Sequence, residues 1–97
     1  MTYAEFQDRW DVEAQRELDR YLEMSPFDLL QQVESRNYGS YHTLWTAVAR
    51  ICRLDDVRDT LMRILRSDEE YLTRYHCAGA LIALSSAAEA GFTEVQL

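Results

Sequence analysis

The chain has 97 residues, of which 17 are acidic, 10 are arginine and none is lysine, and its formal net charge is −7. This length corresponds to one domain that can bury roughly two-thirds of its surface without disulfides. The acidic surplus argues against direct nucleic-acid binding, because such affinity depends on basic side chains that displace counterions from phosphates. A basic protein remains a candidate partner.

The distribution of apolar residues predicts no membrane contact. The longest charge-free stretches, 37–49 and 75–88, are shorter than the ~20 apolar residues of a membrane helix. Residues 1–10 carry acid and lack a basic patch followed by an apolar run, so no signal peptide is expected and we expect a cytoplasmic protein. Cys52 and Cys77 lie within apolar helical patterns, which predicts buried thiols rather than a disulfide.

The first predicted element is an amphipathic helix of about twenty residues. Thr2 lies three residues before Glu5, which is the spacing of a capping box. The outer face carries possible ion pairs of Glu5 with Arg9, of Glu13 with Arg16 and of Glu17 with Arg20. Such pairs contribute only ~0.2–0.5 kcal/mol each, so packing of the apolar stripe is expected to hold the helix in place. The stripe consists of Phe6, Trp10, Ala14, Leu18, Tyr21 and Leu22.

A short second helix and a longer third helix follow. Ser25 as N-cap with Pro26 at the first helical position marks the start of the second helix. It ends in a loop where Asn37 and Gly39 tolerate positive φ. The inner face of the third helix is expected to carry Tyr41, Leu44, Trp45, Ala47, Val48, Ile51 and Cys52.

Two more helices complete the predicted set of about five. Asp55 and Asp56 are expected to cap a short fourth helix that runs to residue 65. Ser67 lies three residues before Glu70, which predicts a second capping box at the start of the last helix. Nothing alternates with a period of two, so no strands are expected. The predicted inner face of the last helix is Leu72, Tyr75, Ala78, Leu81 and Leu84.

The chain contains a weak internal sequence repeat with a period of thirty residues. Residues 41–54 align without a gap on residues 71–84, with coincident Tyr, Thr and closing Leu, and Trp45 aligns with Tyr75. The preceding short helices also align at this spacing, with residues 26–35 over residues 56–65. The spacing therefore describes two copies of a unit made of a short helix, a turn and a longer helix.

The second copy resembles the short, roughly thirty-residue variety of HEAT repeat. In that family a second acidic turn leads to an arginine, followed by small residues and a terminal Ala-Leu-x-x-Leu. The first copy departs from the pattern, since Tyr38 and Leu44 replace the acid and the arginine. The matching residues of the second copy are Asp68, Arg74, Ala80, Leu81 and Leu84.

The resemblance implies a single all-α domain. A capping helix (residues 1–24) would pack on two HEAT-like antiparallel helical hairpins (25–54 and 55–84), followed by a C-terminal tail (85–97), as a short right-handed stack or bundle. Solenoids usually need three repeats to bury a continuous core. A plain helical bundle with accidental periodicity is therefore the alternative.

Catalytic and metal chemistry have little support in the sequence. His42 and His76 occupy non-equivalent positions in the two copies, so the fold does not automatically bring them together. A zinc site needs three or four closely spaced ligands, and a nucleophilic cysteine needs exposure beside a base. Some HEAT-repeat proteins are metal hydroxylases with paired His-Glu motifs, and this chain has no His-Glu dipeptide. We predict a non-enzymatic protein without metal or cofactor.

Acidic and aromatic residues indicate a binding surface. The acid is concentrated on the first helix and around residues 55–59 and 68–70. A solvated face explains such charge runs equally well, and the aromatic residues could belong to the core. The residues predicted to contact a partner are Asp55, Asp56, Asp59, Asp68, Glu69, Glu70, Tyr71 and Tyr38.

HEAT-like repeats work mostly as scaffolds that hold other proteins, so the resemblance implies protein binding. We expect a small inhibitor of a basic partner, of the immunity or antitoxin type or a phage-coded inhibitor of a defence nuclease. An acidic surface would steer it rapidly to such a partner. The alternative is an adaptor or structural subunit of a larger assembly, whose exposed apolar ends would lead to self-association.

Overall fold

The fold is all-α, as predicted, and the part of the chain that the structure describes forms five helices. A computed structural model describes the backbone of residues 2–67 and 69–96 and, within these, the side chains up to residue 87. No strand occurs in this part of the chain, and none of its helices is long and apolar enough to cross a bilayer. The helices are α1 (Tyr3–Leu22), α2 (Pro26–Glu34), α3 (Thr43–Ile51), α4 (Leu54–Leu65) and α5 (Tyr71–Gln96).

Helix α3 lies at the centre of the packing. It contacts α1, α2 and α5, and α4 packs against α5. The pairs α2–α3 and α4–α5 therefore meet through their second helices. The first helices also touch, because the carboxylate of Glu34 accepts a hydrogen bond from Thr60 Oγ1 at 3.3 Å. The core side chains are Tyr21, Leu29, Val33, Leu44, Trp45, Ala47, Val48, Cys52, Val57, Leu61, Ile64, Cys77, Ala80 and Leu84.

The first two predicted helix starts are confirmed. Thr2 and Glu5 form the reciprocal capping box of α1. At the start of α2, Ser25 Oγ accepts a hydrogen bond from the backbone N–H of Asp28 at 3.1 Å, and Pro26 is the first helical residue. Each hydroxyl satisfies an amide that the helix leaves without an internal partner.

The third and fourth predicted caps are wrong. Helix α4 begins after Arg53 without a side-chain cap, and Asp55 lies inside its first turn, where the helix dipole favours a carboxylate. The Ser67 hydroxyl donates to the carbonyl of Ile64 at 2.6 Å and accepts from the N–H of Glu69 at 3.2 Å. That hydroxyl therefore closes the end of α4, and α5 begins at Tyr71.

The buried face of α5 differs from the predicted one. Leu72 and Tyr75 are 50% and 61% exposed. Leu84 is buried, as predicted, but it is joined by Thr73, Cys77 and Ala80, which were not assigned to the inner face. Small residues on this face allow close approach to α4, and the thiol of one of them, Cys77, lies 3.4 Å from the carbonyl oxygen of Leu61. The backbone also stays helical to Gln96, through most of the segment predicted as a tail.

Helix α1 is only partly buried, contrary to the prediction from its apolar stripe. Phe6 and Trp10 are 49% and 42% exposed, while Tyr21 is buried. The reason is length: twenty residues of α1 extend about 30 Å, whereas the nine residues of α3 extend about 14 Å. The N-terminal half of α1 therefore has no helix of matching length beside it. The three ion pairs predicted on its outer face do not form among the described residues.

Glu17 is buried rather than exposed, and it caps α3 from a different helix. Its carboxylate accepts hydrogen bonds from the backbone N–H groups of Ser40 (2.6 Å), Tyr41 (3.1 Å) and Thr43 (3.4 Å), and from the hydroxyl of Thr43 (2.5 Å). The N-cap residue of α3, His42, makes no side-chain cap of its own. Burial raises the pKa of Glu17, but these hydrogen bonds outweigh it and leave the pKa below its usual value.

Glycine is required where the loop between α2 and α3 passes over this carboxylate. Gly39 has φ of +76°, a conformation that side chains with a Cβ disfavour. A Cβ at this position would come within 2.6 Å of the Tyr21 hydroxyl and would also clash with the Glu17 carboxylate. Positive φ is also found at Arg36 and His42.

Replacement of the buried carboxylate tests this capping role. We expect Glu17→Gln to lower the free energy of unfolding by about 2 kcal/mol, because an amide offers fewer acceptors and places its own donors against the loop N–H groups. The lowered pKa of Glu17 also stabilises the fold above the unfolded value of 4.5, and this stabilisation is lost as pH falls through the folded pKa. Glu17→Gln should therefore flatten the decline of stability in acid.

Urea unfolding between pH 3 and pH 7 measures both effects. The matched control is Glu23→Gln, which removes an exposed carboxylate at the end of the same helix. Equal stability of the two variants, or an unchanged acid decline in Glu17→Gln, would contradict the capping role.

Candidate functional site

Three of the predicted contact residues lie together on the N-terminal half of α4. Asp55, Asp56 and Asp59 are all exposed, and their spacing places them on neighbouring turns. Asp55 accepts a hydrogen bond from Arg58 at 3.2 Å. This group therefore forms an acidic patch that is partly neutralised by its own helix.

Two other predicted contact residues, Tyr38 and Glu69, bond to each other within the molecule. The Tyr38 hydroxyl donates to Glu69 at 3.4 Å, and Arg36 Nε lies 3.2 Å from the same carboxylate. The Tyr38 ring packs against Trp45 at a centroid distance of 5.3 Å. Burial and the nearby carboxylate raise the pKa of Tyr38. Asp68, also predicted as a contact residue, lies outside the described residues.

The remaining predicted residues, Glu70 and Tyr71, lie at the other end of α4. Both are exposed, and the Tyr71 ring lies 6.2 Å from that of Tyr75. Asp55 lies in the first turn of α4, whereas Glu70 and Tyr71 follow its C-terminal end, and the twelve residues of α4 extend about 18 Å. The structure therefore separates the predicted residues into two exposed groups, with the half-buried Tyr38–Glu69 pair near the second.

The two histidines lie against each other, although their non-equivalent positions in the repeat alignment gave no reason to expect this contact. His42 precedes α3 and His76 lies on α5, and their rings stack with centroids 4.3 Å apart and planes 13° from parallel. The edge of Tyr75 contacts His76 at 5.3 Å. Burial lowers the pKa of His76, and the neighbouring His42 lowers it further. The packing of α3 on α5 produces this contact. An alignment of the two repeats does not predict it.

The described residues do not form a metal or thiol site. They contain no cluster of three or more histidine, cysteine, aspartate or glutamate side chains that could hold a metal ion. Cys52 and Cys77 are both buried free thiols, as predicted. Burial raises the pKa of Cys77 to about 11, so this thiol stays protonated at neutral pH.

A groove of about 590 Å³ lies between α3 and α5, and we call it the α3–α5 groove. Arg50 is one of its lining residues, and no carboxylate is found among the described residues that line it. Trp45 also lines it, and its indole N–H is buried without an acceptor in the described part of the chain. The charge-free run from residue 75 to residue 88 is the sequence signal for this groove. Its apolar lining includes Ala49, Tyr75, Gly79 and Ile82.

The N-terminal half of α1 projects from the rest of the molecule, and we call residues 2–13 the arm. Every residue of the arm is exposed. Its aromatic side chains are Tyr3, Phe6 and Trp10. Trp10 makes an edge contact with Tyr41 at 4.7 Å, and the Tyr41 hydroxyl donates a hydrogen bond to Glu13 of the arm. The radius of gyration is 14.9 Å, compared with about 12.5 Å for a compact chain of this length. The arm thus exposes an aromatic stripe that the sequence assigns to the core.

No protein-family model, curated protein sequence or solved structure matches this chain. The resemblance to short HEAT repeats therefore stays a prediction drawn from the residues of the second copy.

The stacked histidines generate a prediction for proton binding. We expect His76 to titrate below the usual value of 6.5, and His42→Gln to raise the pKa of His76 part of the way back, since burial still lowers it. NMR titration of the imidazole protons measures both values. A pKa of His76 at or above 6.5 in the native chain would contradict the stacked, half-buried arrangement.

The same shift makes stability depend on pH. As pH falls below 6.5, the unfolded chain binds a proton at His76 that the folded chain does not bind, so stability decreases until the folded pKa is reached. Thermal unfolding between pH 7.5 and pH 5.5 should reveal this loss. His76→Gln should reduce its slope, and an unchanged slope would assign the loss to other groups.

Proposed function

We propose that this chain is a non-catalytic, acidic protein-binding module that contacts a basic region of a partner protein. The observation that carries the proposal is the arm, where half-exposed aromatic side chains and carboxylates occur on the same projecting helix. Aromatic residues supply most of the binding energy in protein interfaces, and the surrounding charges set orientation and association rate. This surface complements the acidic turns predicted from the sequence.

The charge of the arm supports a basic partner. Four carboxylates, on Glu5, Asp8, Asp11 and Glu13, accompany a single arginine, Arg9. None of these carboxylates forms an ion pair in the part of the chain that the structure describes. Their field is therefore available to attract a cationic surface from a distance, and the attraction weakens with salt.

The biological role that we propose is inhibition of the partner by covering its basic surface. A nuclease has such a surface, because it must bind phosphates. Immunity proteins, antitoxins and phage-coded inhibitors of defence nucleases are the classes to which a small acidic binder of this kind is similar. We propose that the module works in the cytoplasm, which its two buried free thiols support, since disulfides are rare in reducing compartments.

A second candidate function is that of an adaptor or structural subunit in a larger assembly. The α3–α5 groove favours it, because Tyr75 and Ile82 remain 61% and 65% exposed at its edge. Exposed apolar side chains that adjoin one another are typical of surfaces covered by another protein. In this role the two hairpins would be extended by a further chain.

Charge reversal on the arm tests the proposed function. A tagged chain would be used to capture partners from native cells, and affinity for the purified partner would then be measured at several salt concentrations. We expect Asp8→Arg combined with Asp11→Arg to weaken binding by about tenfold or more and to reduce its salt dependence, because both carboxylates are exposed and neither forms an ion pair among the described residues.

The matched control reverses the exposed acids Asp19 and Glu23, at the other end of the same charge-rich region, and makes the same change in net charge. This control should bind nearly as well as the native chain. A third variant, Asp55→Arg with Asp56→Arg, compares the acidic start of α4 with the arm. Equal affinity of the arm variant and the native chain would reject the arm as the contact surface.

A further inference from the structure

We infer that the chain self-associates as a reciprocal dimer in which the arm of each copy lies in the α3–α5 groove of the other copy. The inference rests on the proposed function, because it uses the same arm as the contact surface. It adds that one partner of this arm is a second copy of the same chain. Four features of the described residues support it: the glycine at the groove, the spacing of the arm aromatics, the charges and the connectivity.

Gly79 indicates that something outside the chain approaches the groove. Glycine destabilises the interior of a helix, so its presence in the middle of α5 needs a local reason. A Cβ at this position would meet nothing within 4 Å, so packing within the chain does not require glycine. The missing side chain leaves room in the groove lining for a side chain or backbone of another molecule.

The arm has the form that such a groove accepts. Tyr3, Phe6 and Trp10 follow the i, i+3, i+7 spacing, which places them along one face of α1. An amphipathic helix with this spacing binds by laying its apolar face into a hydrophobic groove. The groove volume of about 590 Å³ falls in the range of pockets that hold a drug-sized molecule (~300–1,000 Å³), and so accommodates aromatic side chains.

The charges of the two surfaces are complementary. The arm carries four carboxylates and one arginine, whereas the described lining of the groove carries Arg50 and no carboxylate. A chain with net charge −7 thus presents one of its few locally cationic apolar surfaces where an acidic aromatic helix fits.

The connectivity makes the contact intermolecular and reciprocal. Glu17 and Tyr21 fix the C-terminal half of α1 to the body, and no arm residue lines the groove of its own chain. An arm that occupies the groove therefore belongs to another copy. When two copies exchange arms, the contact is made twice about a two-fold axis and the assembly closes as a dimer.

Sedimentation velocity of the full chain over a range of concentrations tests the inference. We expect the native chain to form dimers, and we expect Phe6→Glu on the arm to weaken dimerisation by about tenfold or more. The matched control is Val12→Glu, which places the same charge at an exposed apolar position on the opposite face of the arm and should leave the dimer intact. Circular dichroism verifies that each variant remains helical.

Gly79→Leu tests the groove without weakening the helix, because leucine favours helix more than glycine does. It should fill the groove and also abolish the dimer. A mixture of Phe6→Glu and Gly79→Leu should regain a heterodimer, since the intact arm of the second variant fits the open groove of the first.

Several results would overturn the reciprocal dimer. These are a native chain that stays monomeric, open assemblies larger than a dimer, equal behaviour of Phe6→Glu and Val12→Glu, or no heterodimer in the mixture. Loss of the dimer in Gly79→Leu alone, with Phe6→Glu unaffected, would point to direct pairing of two α5 helices instead. If the chain is monomeric but Asp8 and Asp11 are needed to bind a basic protein, the inference fails while the proposed function stands.

Discussion

The carboxylate of Glu17 joins α1 to the start of α3, two parts of the molecule that are not neighbours in the sequence. It lies on α1, yet its four hydrogen bonds go to the loop and the first turn that precede α3. These amides would otherwise be orphan donors at a helix start whose own N-cap, His42, has φ of +61° and contributes no side-chain bond. A buried charge is costly unless hydrogen bonds satisfy it, so the loop and the carboxylate stabilise each other.

This fixed point divides α1 into a buried half and a projecting half. Residues C-terminal to Glu17 pack on the body through Tyr21 and Leu18, while residues 2–13 are exposed. The exposed aromatics of the arm are thus a consequence of helix length rather than of a gap in the core. The outer side of α5 is also left uncovered. The small residues Cys77 and Ala80 form its buried face, and larger ones remain outside.

Much of the local structure is predictable from the sequence. The capping box at Thr2, the Ser-Pro start of α2, the burial of both cysteines and the all-α class all follow from short-range patterns, and all are found. The wrong predictions concern tertiary contacts. The sequence around Glu17 fits both an exposed ion pair with Arg20 and a buried cap of another helix. It does not show which of the two forms, because the residue pattern of one helix carries no information about the loop that packs on it.

The prediction of the contact surface also fails where tertiary contacts decide which side chains are exposed. Glu69 and Tyr38 look like free acidic and aromatic groups in the sequence, but they bond to each other across the molecule. His42 and His76 are thirty-four positions apart and stack only because α3 packs on α5. The face of α5 is ambiguous because apolar residues occur all round the helix, so periodicity does not select Thr73 and Cys77 over Leu72 and Tyr75.

Hydrogen exchange at the amides of Ser40, Tyr41 and Thr43 tests most directly the claim that Glu17 holds α1 to the body. At neutral pH we predict that these three amides exchange as slowly as the amide of Val48 in the core of α3. In Glu17→Gln they should exchange about tenfold faster or more, while Val48 stays protected. Rapid exchange at these positions in the native chain, or protection that survives the substitution, would contradict the account.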